Sequence, residues 1–173
     1  MFKKFYPTVY SLSAYTVDFL EIFNKGYKGL ILDIDNTFVE HGAPADDKAI
    51  ALFNELHNIG FKTCIISNNS EARVKPFADA VNSLYVFDAH KPSSENYLKA
   101  ISMMNLDKKN VLFMGDQLFT DIFGANKTGI KSILVKPIKV DPYFYIRLKR
   151  LGEKIVLPFY FRYSKRNPEK FCL

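Results

Sequence analysis

Leu30-Ile31-Leu32-Asp33-Ile34-Asp35-Asn36-Thr37 is an apolar run of strand type that ends in two carboxylates one residue apart. Two such charges repel each other and lose hydration on burial, so the pair points to a cation or to phosphate chemistry. Side chains two apart on a strand share a face. Asp33 and Asp35 can therefore divide the labour of a nucleophile and a general acid/base. The same residues also suit a plain turn, with Asp and Asn accepting backbone hydrogen bonds and Thr37 capping a helix.

Outward from this stretch, four more short apolar, β-branched-rich runs read as strands, giving 29–33, 62–67, 84–87, 111–115 and 132–135. Each is nearly continuous, as in a sheet covered on both faces. Helical patterns fall between them at 46–58, 71–81, 94–104 and 120–127; the first carries Leu52, Phe53 and Leu56 at helical spacing and stops before Gly60. The alternation predicts an α/β fold, a five-stranded parallel sheet flanked by helices. An amphipathic segment at 14–24 is expected to add a helix. The expected organisation is a core over residues 1–140 and a basic, aromatic extension over 141–173, packed on or adjoining it.

In such a sheet, ligands bind beyond the carboxyl ends of the strands, and three further stations fall there. Ser67-Asn68-Asn69-Ser70 offers a hydroxyl, amides and helix N-terminal N–H groups suited to phosphate, or simple caps for the next helix. Lys91 precedes Pro92, whose fixed φ can aim the ammonium at a phosphoryl oxygen; a solvated surface lysine is the plainer alternative. Gly115-Asp116-Gln117-Leu118-Phe119-Thr120-Asp121 supplies two carboxylates, the hard oxygen ligands that Mg²⁺ prefers, although Asp121 would also serve as a favourable charge at a helix start. His41, His57 and His90 share no metal-ligand spacing, and Cys64 and Cys172 form neither a zinc pattern nor a disulfide framework.

The net charge of +6 is unevenly placed: from Lys127 onward twelve Lys/Arg face only Asp141, Glu153 and Glu169, a surplus of +9 against −3 elsewhere. Within this segment Phe144, Leu148, Leu151 and Ile155 form an apolar helix stripe beside Arg147, Lys149, Arg150 and Lys154. Such a helix can lie on an anionic membrane surface, bind nucleic acid, or cover the sheet with its cations solvated. With no apolar stretch of signal or spanning length, the expected location is the cytoplasm, including the inner face of the membrane.

Asp33-Ile34-Asp35-Asn36-Thr37, Ser67, Lys91 and Gly115-Asp116…Asp121, in that order, resemble the four motifs of the haloacid dehalogenase (HAD) superfamily over roughly residues 25–137. Ser67-Asn68-Asn69, Lys91-Pro92, the run from Gly115 to Asn126 and Arg150-x-x-Glu153 look like the subclass IIIA branch, which includes YqeG-like proteins and phosphatidylglycerophosphatases. The resemblance implies a HAD-like Rossmannoid phosphatase. In it, Asp33 attacks phosphorus, Asp35 moves protons, and Ser67 and Lys91 stabilise the phosphoryl oxygens. Mg²⁺ is held by Asp33, Asp116 and the carbonyl of Asp35. Asp121 orients the metal water or Lys91, and Asn68 and Thr37 are candidate phosphate or substrate contacts. The 30 positions from Thr37 to Ser67 and the 24 from Ser67 to Lys91 leave no room for a cap domain, which favours a bulky, tethered or macromolecular phosphate ester; the subclass resemblance, joined to the basic aromatic tail, implies phosphatidylglycerophosphate as the favoured substrate. The alternative is a HAD-fold protein that binds nucleic acid or the ribosome through its basic end.

Overall fold

The computed structural model describes residues 2–173. Its centre is a six-stranded parallel sheet of β1 (Val9–Ser11), β2 (Gly29–Leu32), β3 (Lys62–Ile66), β4 (Leu84–Val86), β5 (Val111–Gly115) and β6 (Lys131–Val135), in the order β1-β6-β5-β2-β3-β4. The helices are α1 (Phe19–Asn24), α2 (Asp47–Ile59), α3 (Glu71–Ala80), α4 (Glu95–Met103), α5 (Phe123–Thr128) and α6 (Phe144–Arg166). This is a Rossmannoid α/β arrangement, with no cap domain among the described residues.

The sheet has one strand more than the sequence reading gives. Val9-Tyr10-Ser11 is three residues long and only partly buried, too short for an apolar pattern to register, and it exists by pairing with β6 at the sheet edge. The segment at 14–24 is not one helix either. A 3₁₀ turn over Ala14–Thr16 is followed by α1, because the Asp18 carboxylate accepts from the Glu21 amide at 2.8 Å and starts a new helix there. The run expected as a helix at 120–127 opens as a π-turn over Leu118–Ile122 before α5.

Alternation along the strands builds a core on each face. Leu30 and Leu32 of β2 join Phe53 and Leu56 of α2 and Phe77 of α3, whereas Ile31 joins Tyr97 and Ala100 of α4 and Ala125 of α5. A third cluster, Leu118, Ile122, Leu134 and Val156, seats α6 against the π-turn and β6. The chain runs from β2 out to β3 and β4, then resumes at β5 on the other side of β2. The crevice where such a sheet reverses its order is where ligands bind, so the ends of β2 and β5 define the place to look.

On α6 the side chains that face the protein are Ile146, Glu153, Val156 and Tyr160. Phe144, Leu148, Leu151, Ile155 and Phe159 lie on the opposite face, each between 51% and 74% exposed. The apolar stripe seen in the sequence therefore does not cover the sheet. Among the described residues no helix is long and apolar enough to cross a membrane.

Candidate active site

Asp33 follows the last residue of β2 and stays in register with β5, its amide donating to the Met114 carbonyl at 3.0 Å. Its Oδ1 accepts from Lys91 Nζ at 2.6 Å and its Oδ2 from the Thr37 hydroxyl at 3.4 Å. Asn36 takes a left-handed φ of 62°, a conformation that Asn tolerates better than most residues, and turns the chain there. Its side chain then reaches the loop before α6: Oδ1 accepts from the Lys139 amide at 3.1 Å and Nδ2 donates to Asp141 Oδ1 at 2.8 Å.

Asp35 lines the same cavity but is turned from Asp33. Its oxygens accept from the Gly42 amide at 2.8 Å, Arg73 Nη2 at 2.8 Å and Asn69 Nδ2 at 2.7 Å. Ser67, at the end of β3, is buried and accepts from the Asn69 amide at 3.2 Å. The Asn68 side chain binds the backbone of Lys91, accepting from its amide at 2.7 Å and donating to its carbonyl at 3.3 Å. Asn68, read as a phosphate or substrate contact, thus uses both ends of its amide to place Lys91. Pro92 does not start a helix; α4 begins at Glu95, so it is Asn68 and the buried carboxylates that fix the lysine.

Asp116 follows β5 and Asp121 lies within the π-turn. Asp121 Oδ2 accepts the amides of Asp116 at 3.2 Å and Gln117 at 3.0 Å, while its Oδ1 lies 2.7 Å from Lys91 Nζ, an ion-pair contact outside hydrogen-bond geometry. Gly115 makes room for this: a Cβ there would lie 2.5 Å from Asp121 Oδ2. Arg150 forms the other side of the cluster. It pairs with Asp116 Oδ2 through Nη2 and donates to the Asp116 carbonyl at 2.6 Å, Asp141 Oδ2 at 2.8 Å and Glu153 Oε2 at 2.9 Å.

Arg150 therefore corrects the sequence reading, which placed it on an anionic surface. Three carboxylates outbid water for its guanidinium, and they turn it inward. Lys149 lines the mouth of the cavity with Tyr145, while Arg147 and Lys154 remain exposed.

Oxygens of Asp33, Asp116 and Asp121 lie within 4.8 Å of one another, and all three residues are buried. Burial pushes the Asp33 carboxyl up to about 7, aided by Asp121 and opposed by Lys91. Asp116 is also driven well up by burial, against the pull of Arg150. Burial disfavours the Lys91 charge, but Asp121 and Asp33 outweigh it and hold the lysine protonated. Lys91 and Arg150 are two cations against the five carboxyls they and the cluster bring together, so once these ionise negative charge is left over. Asp116 Oδ1 is buried without a hydrogen-bond partner. A buried anionic oxygen of this kind fits a hard divalent cation, and the cluster fits a metal site of that type.

The cavity above it has a volume of 90 Å³, far below the roughly 300–1,000 Å³ of pockets that engulf a whole small-molecule ligand. A space of this size has room for a small group and not for a whole ligand. Sequence reasoning did not single out Arg73, Asp141 or Glu153 as site residues, and it read Asn69 as a phosphate-binding group or a cap, not as the partner of Asp35. The Arg150-x-x-Glu153 spacing, which puts two opposite charges on one helix face, was the one signal available for Glu153.

Residues 34–129 match the haloacid dehalogenase-like hydrolase family. Over 159 residues the chain is 35% identical to the Bacillus subtilis (strain 168) protein named "Probable phosphatase YqeG", covering 91% of this chain and 92% of that one. In structure it is similar to an uncharacterized protein from Listeria monocytogenes serotype 4b, with a TM-score of 0.53 and 17% identity over 67% of this chain and 84% of that chain. A hypothetical protein from Xanthomonas campestris gives a TM-score of 0.51 and 15% identity over 82% of this chain and 79% of that chain. At those identities the two structures speak for the fold alone.

Proposed function

This chain belongs to the haloacid dehalogenase-like hydrolases and is YqeG-like over 91% of its length, and on that basis we propose that it is a Mg²⁺-dependent phosphomonoester hydrolase that works through an aspartyl-phosphate on Asp33. The observation that carries this is the buried trio Asp33, Asp116 and Asp121 with its unpartnered Asp116 oxygen, set beside the Lys91–Asp33 pair.

An oxygen of ionised Asp33 attacks phosphorus, the bond from phosphorus to the alcohol oxygen breaks, and Asp35 gives that oxygen its proton. Asp35 then takes a proton from water, whose oxygen attacks the same phosphorus; the bond to Asp33 breaks and inorganic phosphate leaves. Both proton transfers require the Asp35 carboxyl to turn from Arg73 and Asn69 into the cavity it lines. Lys91 and the Ser67 hydroxyl stabilise the charge gathering on the phosphoryl oxygens, and Thr37 steadies Asp33. Asp33, Asp116 and the carbonyl of Asp35 would hold Mg²⁺, which supplies further charge neutralisation. Asp121 keeps Lys91 in place.

The small uncapped cavity supports a substrate whose bulk stays outside, and the outward apolar stripe of α6 supports one embedded in a lipid surface. Exposed Arg147, Lys154 and Arg162 flank that stripe, each worth about 1 kcal/mol beside anionic lipid. Phosphatidylglycerophosphate is the favoured substrate, met at the inner face of the membrane from the cytoplasm. The test is Mg²⁺-dependent phosphate release from this lipid and from an aryl phosphate, by the wild type and Asp33→Asn. Release that vanishes in the variant is expected. Release from the aryl ester alone would overturn the lipid, and steeply salt-dependent RNA binding with no release from either would favour a binding protein instead.

A further inference from the structure

Of the side chains that the C-terminal helix brings to the catalytic centre, Arg150 is the one that reaches the Asp116 carboxylate, and the mechanism above leaves it without a part. We propose that Arg150 is a positioning residue for Asp116, holding one oxygen of that carboxylate so that the other is presented to the divalent cation. The assignment rests on the metal-dependent reading just given.

A carboxylate at a strand end can rotate about its side-chain bonds, and only some rotations aim an oxygen at Asp33 and Asp121. Arg150 removes that freedom by contacting Asp116 twice, at Oδ2 and at its own carbonyl. The remaining oxygen, Oδ1, is then the buried atom without a hydrogen-bond partner. A planar guanidinium can make two such contacts at once while its other N–H groups are held elsewhere, which an ammonium on a flexible stem cannot reproduce.

The clamp is itself clamped. Asp141 accepts from Arg150 Nε at 2.8 Å and is anchored by Asn36 Nδ2 at 2.8 Å; Glu153 accepts from Nη1 at 2.9 Å and is anchored by the Leu118 amide at 2.8 Å. The network thus ties the turn after β2, which carries Asp33, to the loop after β5, which carries Asp116. Arg150 pairs with three carboxyls, so once these ionise its single charge does not neutralise the hub. Groups that orient a metal ligand in this way change metal affinity roughly 10–100-fold when altered.

The test is calorimetric titration of the full-length protein with Mg²⁺, without substrate, for the wild type, Arg150→Lys and Asp141→Asn, each first shown to be folded by circular dichroism. Arg150→Lys keeps the charge and loses the fork; its Mg²⁺ dissociation constant is expected to rise roughly 10–100-fold, and Asp141→Asn should move it the same way by less. A matching rise in the Mg²⁺ concentration needed for aryl phosphate turnover, with kcat recovered at saturating Mg²⁺ and KM unchanged, separates positioning from a merely structural pair. Unchanged or tighter Mg²⁺ binding in folded Arg150→Lys would overturn the proposal, tighter binding making Arg150 a plug that competes with the cation. A wild type that binds Mg²⁺ yet releases no phosphate overturns the phosphatase reading alone, with the titrations still deciding Arg150. A wild type that binds no Mg²⁺ overturns both.

Discussion

Lys91 and Arg150 approach the same carboxylate floor from opposite sides and differ in almost everything else. Lys91 comes from the core, is fixed by Asn68 through its backbone, and puts one ammonium between Asp33 and Asp121. Arg150 comes from the C-terminal helix and spreads a planar fork over Asp116, Asp141 and Glu153. The point charge sits beside Asp33, the proposed nucleophile, where a phosphoryl oxygen could share it. The fork sits behind Asp116, the proposed metal ligand, where geometry matters more than charge. A buried anionic site needs both neutralisation and orientation, and here two residues supply them separately.

The most damaging way to break this arrangement is Lys91→Met. It leaves Asp33 and Asp121 buried without their cation, and removing one partner of a buried pair costs about 3–5 kcal/mol. Urea denaturation of the metal-free variant should show that loss, and added Mg²⁺ should recover part of it. Turnover should fall roughly 10²–10³-fold through loss of an electrostatic donor, as read by phosphate release. Stability within about 1 kcal/mol of wild type would mean that the pair does not exist in solution.

Gly115→Ala attacks the same side indirectly. The added methyl would meet Asp121 Oδ2 at 2.5 Å and Phe113 at 2.8 Å, so the Asp121 anchor must shift. Overpacking of this kind costs about 1–3 kcal/mol. The loss should appear in denaturation, together with weaker Mg²⁺ binding.

Five of the six strands, the helices between them and the order of the four stations are legible in the sequence because local apolar runs and turn residues write them. Asp33, Ser67, Lys91 and Asp116 converge because each follows a parallel strand, and topology does the rest. The Arg150 hub is a different matter. Its partners Asp116 and Asp141 come from outside its own helix, and α6 carries two apolar stripes of similar periodicity. Ile146, Val156 and Tyr160 face the protein; Phe144, Leu148, Leu151 and Ile155 do not. Periodicity shows that a helix has a face, and only the packing of Val156 against Leu118 and Leu134 says which way it turns. Placing Arg150 on the surface follows from taking the more apolar stripe as the inner reference.

A smaller effect separates the two cations by pH. Burial raises Asp33 to about 7 despite Lys91, so in the metal-free protein its contribution to stability is fully present below the unfolded carboxyl value of 3.8 and is lost as pH rises through about 7. Mg²⁺ needs the ionised form, so its affinity should fall by up to about tenfold per pH unit below 7, or about 1.4 kcal/mol. The rise in melting temperature on adding Mg²⁺ should therefore be larger at about pH 8 than at about pH 5.5. Arg150, protonated throughout, adds no such slope. An equal rise at both pH values would remove Asp33 from the metal site.

The smallest expected effect on stability lies on the far face of α6. Leu151→Gln and Ile155→Gln alter side chains that are 56% and 61% exposed, on the face opposite Glu153 and Val156. Surface substitutions of this kind stay within about 0.5 kcal/mol, so denaturation midpoints and aryl phosphate turnover should match the wild type. On the proposed lipid reading the apolar stripe would insert while the flanking cations steer, so binding to anionic vesicles should weaken. Deleting the whole helix could not make this distinction, because Arg150 and Glu153 would go with it and the metal site would change. If the paired substitution leaves vesicle binding intact, the outer stripe is not a lipid contact. If it lowers stability by more than about 1 kcal/mol, the stripe is covered in solution and α6 has a partner on both faces.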